Sequence, residues 1–201
     1  MSATIKWFTL AGLLLLTSGC SLISKPAPVQ ALDNKSRLAQ INAINEYTVQ
    51  ASVGIKTPDE SVSGNLTWQQ LNTEHYKARL ANFLGISLFE LTNSEQGSSI
   101  MLRGERYQAA DTSSLLWQLA GWSMPLADMP LWLKGIPGQA ATAIEYDELG
   151  RVNAFQLVDS TGIIWQLRYQ SFFADELALP KKISLISDDT TISFYIRSWQ
   201  L

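Results

Sequence analysis

Tyr47-Thr48-Val49-Gln50-Ala51-Ser52-Val53-Gly54-Ile55 puts an apolar side chain at every odd position and a polar or small residue between each pair. Neighbouring side chains of a strand point to opposite faces, so this alternation over nine positions reads as a half-buried β-strand. After a turn at Thr57-Pro58-Asp59 the same period returns in Val62, Gly64, Leu66 and Trp68, and after a turn near Asn72 in Tyr76, Ala78 and Leu80. Residues 86–91, 100–103 and 106–109 continue the series, the last two joined through Gly104-Glu105. Six strands with short connections and no helical crossovers predict an antiparallel meander rather than βαβ units.

Outward from this block, Asp33 is a helix N-cap ahead of Leu38, Ile41 and Ile44, an apolar stripe that predicts an amphipathic N-terminal helix. On the other side the meander is interrupted once. Asp111-Thr112-Ser113-Ser114 caps a short helix carrying Leu115, Leu116, Leu119 and Ala120, which Gly121 closes. Met124-Pro125-Leu126 breaks it, and Asp128 and Pro130 open a second short helix that ends at Gly135-Ile136-Pro137-Gly138. Both are unusually apolar, and they contain or flank Trp117, Trp122 and Trp132. Five further strands follow, over residues 142–146, 151–158, 162–169, 179–186 and 191–199, with Ile163, Trp165, Leu167 and Tyr169 the cleanest alternation.

About eleven antiparallel strands cannot lie flat, because a sheet that size curls or splits into two layers. The expected fold is mainly β: an unclosed antiparallel β-barrel of about eleven strands with a helical lid and an N-terminal helix. Its inner set, Leu66, Trp68, Leu80, Trp165 and Leu167, is large and apolar. Periodicity alone leaves two possibilities open, a hydrophobic cavity under the lid or a solid core filled by the same side chains.

The N-terminus carries a different signal. Lys6 precedes an apolar run from Trp7 to Leu16, too short to span a membrane, and Thr17-Ser18-Gly19 leads into Cys20, the single cysteine of the chain. That is the pattern of a secretory signal peptide, set apart from the fold. It resembles the lipobox of bacterial lipoproteins, with Thr17 where leucine is commoner; the alternative is an ordinary signal peptide with a stray cysteine. The resemblance implies lipidation of Cys20, and Ser21 in place of Asp implies sorting to the outer membrane of a Gram-negative bacterium, facing the periplasm. The expected organisation is a signal peptide over 1–19, a lipidated cysteine and Pro-containing tether over 20–32, and a single domain over 33–201. With Cys20 in the anchor, no thiol remains for a disulfide.

Composition excludes several classes of function. The chain is 46% hydrophobic and 16% charged, with a formal net charge of −3 and no basic cluster denser than Lys181-Lys182, so no nucleic-acid partner is expected. No Gly-x-Ser-x-Gly elbow, metal-spaced His/Cys/Asp set or Gly-rich phosphate loop is present, and no cofactor, metal or catalytic residue is expected. The one histidine, His75, reads as a surface or turn residue beside a strand, and Asp147-Glu148 and Asp188-Asp189 read as turns.

Several segments resemble the LolB family of outer-membrane lipoprotein receptors: Gly64-Asn65-Leu66-Thr67-Trp68-Gln69-Gln70, Asn82-Phe83-Leu84-Gly85 and Gly121-Trp122-Ser123-Met124-Pro125-Leu126. Leu131-Trp132-Leu133-Lys134-Gly135-Ile136-Pro137-Gly138, Gly150-Arg151 and Leu179-Pro180 extend the likeness from about Tyr47 to the C-terminus. The resemblance implies a LolA/LolB-like unclosed barrel that accepts triacylated lipoproteins from a soluble periplasmic, LolA-like carrier and inserts them into outer-membrane lipid. It implies that Leu84 protrudes from its loop for membrane insertion, flanked by Phe83 and Gly85, with Phe83 standing where the family usually has proline. Trp68, Trp132 and Trp165 match family tryptophans and, with Leu66, Leu80, Trp117 and Leu167, are expected in the acyl-chain cavity or its lid. The expected state is a monomer. Two rival readings remain at this point, a lipid-anchored envelope scaffold and a carrier of another lipid without lipoprotein transfer.

Overall fold

The structure, a computed structural model, describes residues 33–109 and 111–201. The expected signal peptide, Cys20 and the tether lie outside the described residues. The elements run α1 (Asn34–Ala43), β1 (Tyr47–Lys56), β2 (Ser61–Gln70), β3 (Tyr76–Ala81), β4 (Ser87–Ser94), β5 (Gly97–Leu102) and β6 (Glu105–Ala109). Then come α2 (Thr112–Ala120), α3 (Met129–Trp132), β7 (Thr142–Tyr146), β8 (Val152–Val158), β9 (Ile164–Phe172), β10 (Pro180–Ile186) and β11 (Thr191–Gln200).

All eleven strands belong to one antiparallel sheet in the order β6-β5-β4-β3-β2-β1-β11-β10-β9-β8-β7. The first and last strands of the chain therefore meet in the middle of the sheet, with Val49 opposite Trp199 and Val53 opposite Phe194. The two edges, β6 and β7, belong to consecutive stretches of chain and do not pair with each other. The expected meander is present, and the barrel is unclosed at that seam. Residues 111–141, which carry α2 and α3, run between the edges.

Alternation sets which face is covered. Tyr47, Val49, Ala51, Val53 and Ile55 of β1 are all buried, as are Leu66 and Trp68 of β2, Leu80 of β3, and Trp165, Leu167 and Tyr169 of β9. They form one cluster with Leu115, Leu116, Trp122, Met124, Leu126, Met129, Trp132 and Leu133 of the helical segment, so that segment lies on the inner face. Gly64 is required by close approach: a Cβ there would sit 2.5 Å from the Ala81 carbonyl oxygen.

The N-terminal helix docks differently from the expected apolar stripe. Asp33 caps it, accepting from the Lys35 and Ser36 amides at 3.1 Å. Ile41 is fully buried, but Leu38 and Ile44 are only half-buried, and Arg37 is the other buried residue. Polar bonds do the holding: Asn34 Nδ2 donates to Gly150 O at 2.8 Å, Arg37 to Leu177 O at 3.2 Å, and Lys134 Nζ to Ile44 O at 2.7 Å. The Lys134 ammonium so satisfied lies below its ordinary pKa because burial disfavours its charge. His75 sits in the turn just before β3, its amide donating to Asn72 Oδ1 at 2.8 Å.

Candidate functional site

The inner face of the sheet and the helical segment enclose a cavity of only about 30 Å³. That is room for no more than about two or three water molecules. Fifteen side chains line it and all are apolar; ten come from strands, including Leu66, Trp68 and Leu80, and five from the helical segment, Leu116, Trp122, Met124, Leu126 and Met129. The choice between a cavity and a solid core thus resolves as an apolar pocket that its own lid nearly fills.

The expected cavity residues separate into three groups. Leu66, Trp68 and Leu80 line the pocket. Trp132, Trp165 and Leu167 are buried but pack in the solid core beside it and are not among its walls. Trp117 belongs to the lid helix, within the expected set, but does not reach the cavity: it is 47% exposed on the outer side of α2. Consecutive residues of a helix are about 100° apart. With Leu115 and Leu116 turned inward, Trp117 is carried out to an open groove of about 600 Å³ that also includes Ile163, Ile164 and Ile186.

The three fully buried indoles each have a partner for the N–H, as burial of a donor demands. Trp68 Nε1 donates to Gln70 Oε1 at 3.0 Å, Trp132 Nε1 to Pro125 O at 3.0 Å, and Trp165 Nε1 to Asp159 Oδ2 at 2.9 Å. The α3 segment is pinned further by Tyr169 Oη donating to Trp132 O at 2.6 Å and Tyr47 Oη to Pro130 O at 2.9 Å. Burial raises both phenol pKa values, which keeps both groups neutral donors at neutral pH.

Asp159 and Ser123 were not legible as site residues. Asp159 is 7% exposed, in the turn between β8 and β9, and its Oδ2 also accepts from Ser123 Oγ of the helical segment. Its Oδ1 accepts from Thr161 N at 2.9 Å, Thr161 Oγ1 at 2.6 Å and Ile163 N at 3.1 Å. Burial pushes this carboxyl up, but the hydrogen bonds from Ser123, Thr161, Trp165 and the Ile163 amide outweigh it and hold the pKa below the usual carboxylate value. In sequence Asp159 begins Asp-Ser-Thr-Gly, which reads as turn chemistry and nothing more.

The second feature is the loop from β3 to β4. Asn82 organises it: its Oδ1 accepts from the Leu84 and Ile86 amides, both at 3.0 Å, and its backbone bonds with Ile86 and Gly85. Gly85 takes φ +81°, which a side chain disfavours, and its carbonyl accepts from Arg79 at 2.7 Å. This rigid turn projects Phe83 (87% exposed), Leu84 (69%) and Ile86 (60%) into solvent. Large apolar side chains held together in water by a built turn are what a lipid or protein contact surface requires. Among the described residues there is no group of acidic, histidine or cysteine side chains spaced for a metal, and no helix is long and apolar enough to cross a membrane.

The profile of the family described as outer membrane lipoprotein LolB matches residues 45–199. An outer-membrane lipoprotein LolB of Tolumonas auensis is 27% identical over 199 residues, covering 98% of this chain and 97% of that protein. Another from Shewanella baltica is 28% identical over 198 residues, covering 96% and 87%. Among solved structures, a LolA superfamily protein from Nitrosomonas europaea superposes with a TM-score of 0.55 at 10% identity, over 85% of this chain and 94% of that one, a likeness of fold.

Proposed function

We propose, for a chain that belongs to the LolB family of outer-membrane lipoproteins, that the cavity under the helical segment expands to shelter the acyl chains of lipoprotein cargo. The protein is a lipoprotein receptor of the outer membrane, and its cargo comes from a LolA-type carrier. The observation that carries the cavity reading is the wholly apolar wall, a third of it supplied by a lid. Exposed hydrocarbon costs about 25 cal/mol per Å², so an apolar shelter allows acyl chains to cross water. No nucleotide chemistry is needed if chains prefer this cavity to the carrier's and the bilayer to both.

The remaining assignments follow from that reading. Cys20 would carry the lipid anchor after removal of residues 1–19, with 20–32 as tether and 33–201 as a monomeric binding domain. Leu84 and Phe83, held out by Asn82 and Gly85, would enter outer-membrane lipid during release. Burying one such side chain returns about 1.5–3 kcal/mol. Trp68, Leu66 and Leu80 would touch acyl chain directly, with Trp132, Trp165 and Leu167 supporting the wall.

The test uses residues 21–201 mixed with a periplasmic carrier loaded with a triacylated lipoprotein, followed by separation of the complexes and then addition of liposomes. One-to-one movement of cargo onto the protein is expected, and Leu84→Glu should accept cargo but fail to deliver it. Cargo that stays on the carrier while the protein remains folded would favour an envelope scaffold; acceptance of phospholipid instead would favour a carrier of another lipid.

A further inference from the structure

The seam between β6 and β7 has no backbone hydrogen bonds, yet side chains at the ends of α2 close it. On one bank, Thr112 Oγ1 donates to Ser98 Oγ of β5 at 3.0 Å and lies 3.3 Å from the Tyr76 hydroxyl of β3. On the other bank stands the turn between β8 and β9. Ser160 Oγ donates to Asp111 Oδ1, the N-cap of α2, at 2.6 Å. Asp159 accepts from Ser123, two residues beyond the C-cap Gly121, and Thr161 Oγ1 lies 3.3 Å from the Ser123 hydroxyl. Both flanks of α2 are thus fastened to one short turn.

The same helix separates two spaces. Leu116 lines the inner cavity of about 30 Å³, and the next residue, Trp117, lines the outer groove of about 600 Å³. The groove offers Trp117, Ile163, Ile164 and Ile186 as apolar surface, with Asp188 and Asp189 on its polar side. The inner space has no room for a hydrocarbon chain until helix side chains leave it. Of the two helices, α3 is pinned from below by the buried Tyr47, Tyr169 and Trp132 bonds. The fastening of α2 is to a turn whose Ser160, Thr161 and Gly162 are solvent-exposed, so water can replace the Ser160–Asp111 bond first; the Ser123–Asp159 bond beneath it is buried and parts only as the turn lifts away.

We propose that an acyl chain docks first in the outer groove against Trp117 and enters the inner cavity across the β6/β7 seam, with α2 as the moving partition and Asp159, Ser160 and Ser123 as its clasp. This rests on the reading of the inner cavity as an acyl-chain shelter. Asp159, Ser160 and Ser123 are positioning residues, acting on cargo only through α2.

The test is a removable lock. Ser123→Cys with Thr161→Cys places two thiols where hydroxyls now stand 3.3 Å apart, within reach of a disulfide. The full-length protein in liposomes is supplied with carrier-bound triacylated lipoprotein, and transfer is timed before and after reduction of the same sample. Transfer at least tenfold slower when oxidised, and restored by reductant, is expected. Equal rates with the disulfide verified by mass spectrometry overturn the proposal. Wild-type protein that accepts no cargo at all overturns the shelter reading, and this inference with it. As a second variant, Ser123→Ala with Ser160→Ala leaves Asp159 its bonds to Trp165, Thr161 and Ile163. It is expected to take up an apolar fluorophore several-fold faster than wild type, measured well below the melting transition of both proteins; unchanged uptake overturns the clasp. Trp117→Ser is expected to slow uptake several-fold, and an unchanged rate overturns the outer groove as the first dock.

Discussion

The sheet is joined in two different ways at its centre and at its seam. Between β1 and β11 a continuous backbone ladder, interrupted by a single bulge at Gln50/Ala51, binds the first strand of the chain to the last. Between β6 and β7 there is no ladder, and a few hydroxyls and two carboxylates around α2 do the joining. A ladder opens only if many bonds and the apolar face beneath them are lost together; side-chain bonds at a surface turn open one by one. The contrast separates a part of the molecule built to persist from a part built to yield.

The largest effect should come from the persistent part. Trp132 is fully buried, so Trp132→Ala is expected to cost about 3–5 kcal/mol, read as a lowered urea midpoint. A loss below 1 kcal/mol would mean that α3 is not part of the fixed floor. Next, Gly64→Ala forces β2 and β3 apart where the Cβ meets the Ala81 carbonyl oxygen, and about 2 kcal/mol is expected. Chemical denaturation measures it, and a neutral outcome would show that this ladder yields more easily than its close approach implies.

The seam should respond less, and with a pH signature. Asp159 titrates below the ordinary carboxylate value in the folded protein, so its contribution is fully present above the unfolded value of about 3.9 and fades as pH falls through the lower folded value. Asp159→Asn is therefore expected to be about 1 kcal/mol less stable than wild type at neutral pH, with the difference shrinking below about pH 4. A pH-independent difference would assign the loss to packing rather than to charge. The smallest effect is expected at the tip of the β3–β4 loop. Leu84→Glu should change stability by no more than about 0.5 kcal/mol, since the side chain makes no buried contact to lose, while delivery to liposomes fails. Destabilisation there would mean that the tip is tied to the ladder after all.

What the sequence revealed followed the same division. The strands of the ladder were legible because burial on one face writes itself as a period of two, and Tyr47 to Ile55 and Ile163 to Tyr169 show it plainly. The helical interruption was legible from Asp111, Gly121 and Pro130, which act through caps and breaks local to the chain. The clasp was not. Asp159 and Ser123 are 36 residues apart, and nothing near either residue announces the other. Trp117 was legible as part of the lid, but apolar character alone does not tell which side of a nine-residue helix a tryptophan occupies; the inward turn of Leu115 and Leu116 decided it. The N-terminal helix misled in the opposite sense, since Arg37 found a carbonyl to satisfy it and was buried where Leu38 was expected.

The loop of Phe83 and Leu84 lies at the far end of β3 from the turn nearest α1. Six residues of strand measure about 20 Å, and the ten residues of α1 between the leash attachment at Asp33 and that turn add at most about 15 Å. The thirteen residues of the tether, 20–32, reach at most about 45 Å when drawn out. With the anchor proposed at Cys20, the leash is longer than the distance from its attachment to the tip, so both ends of the domain can touch one bilayer at once. Contact of the tip with lipid then becomes an event within a single molecule, at an effective concentration on the order of millimolar. Two or three side chains, too few to hold a free protein on a membrane, are sufficient under that condition to touch, release and touch again.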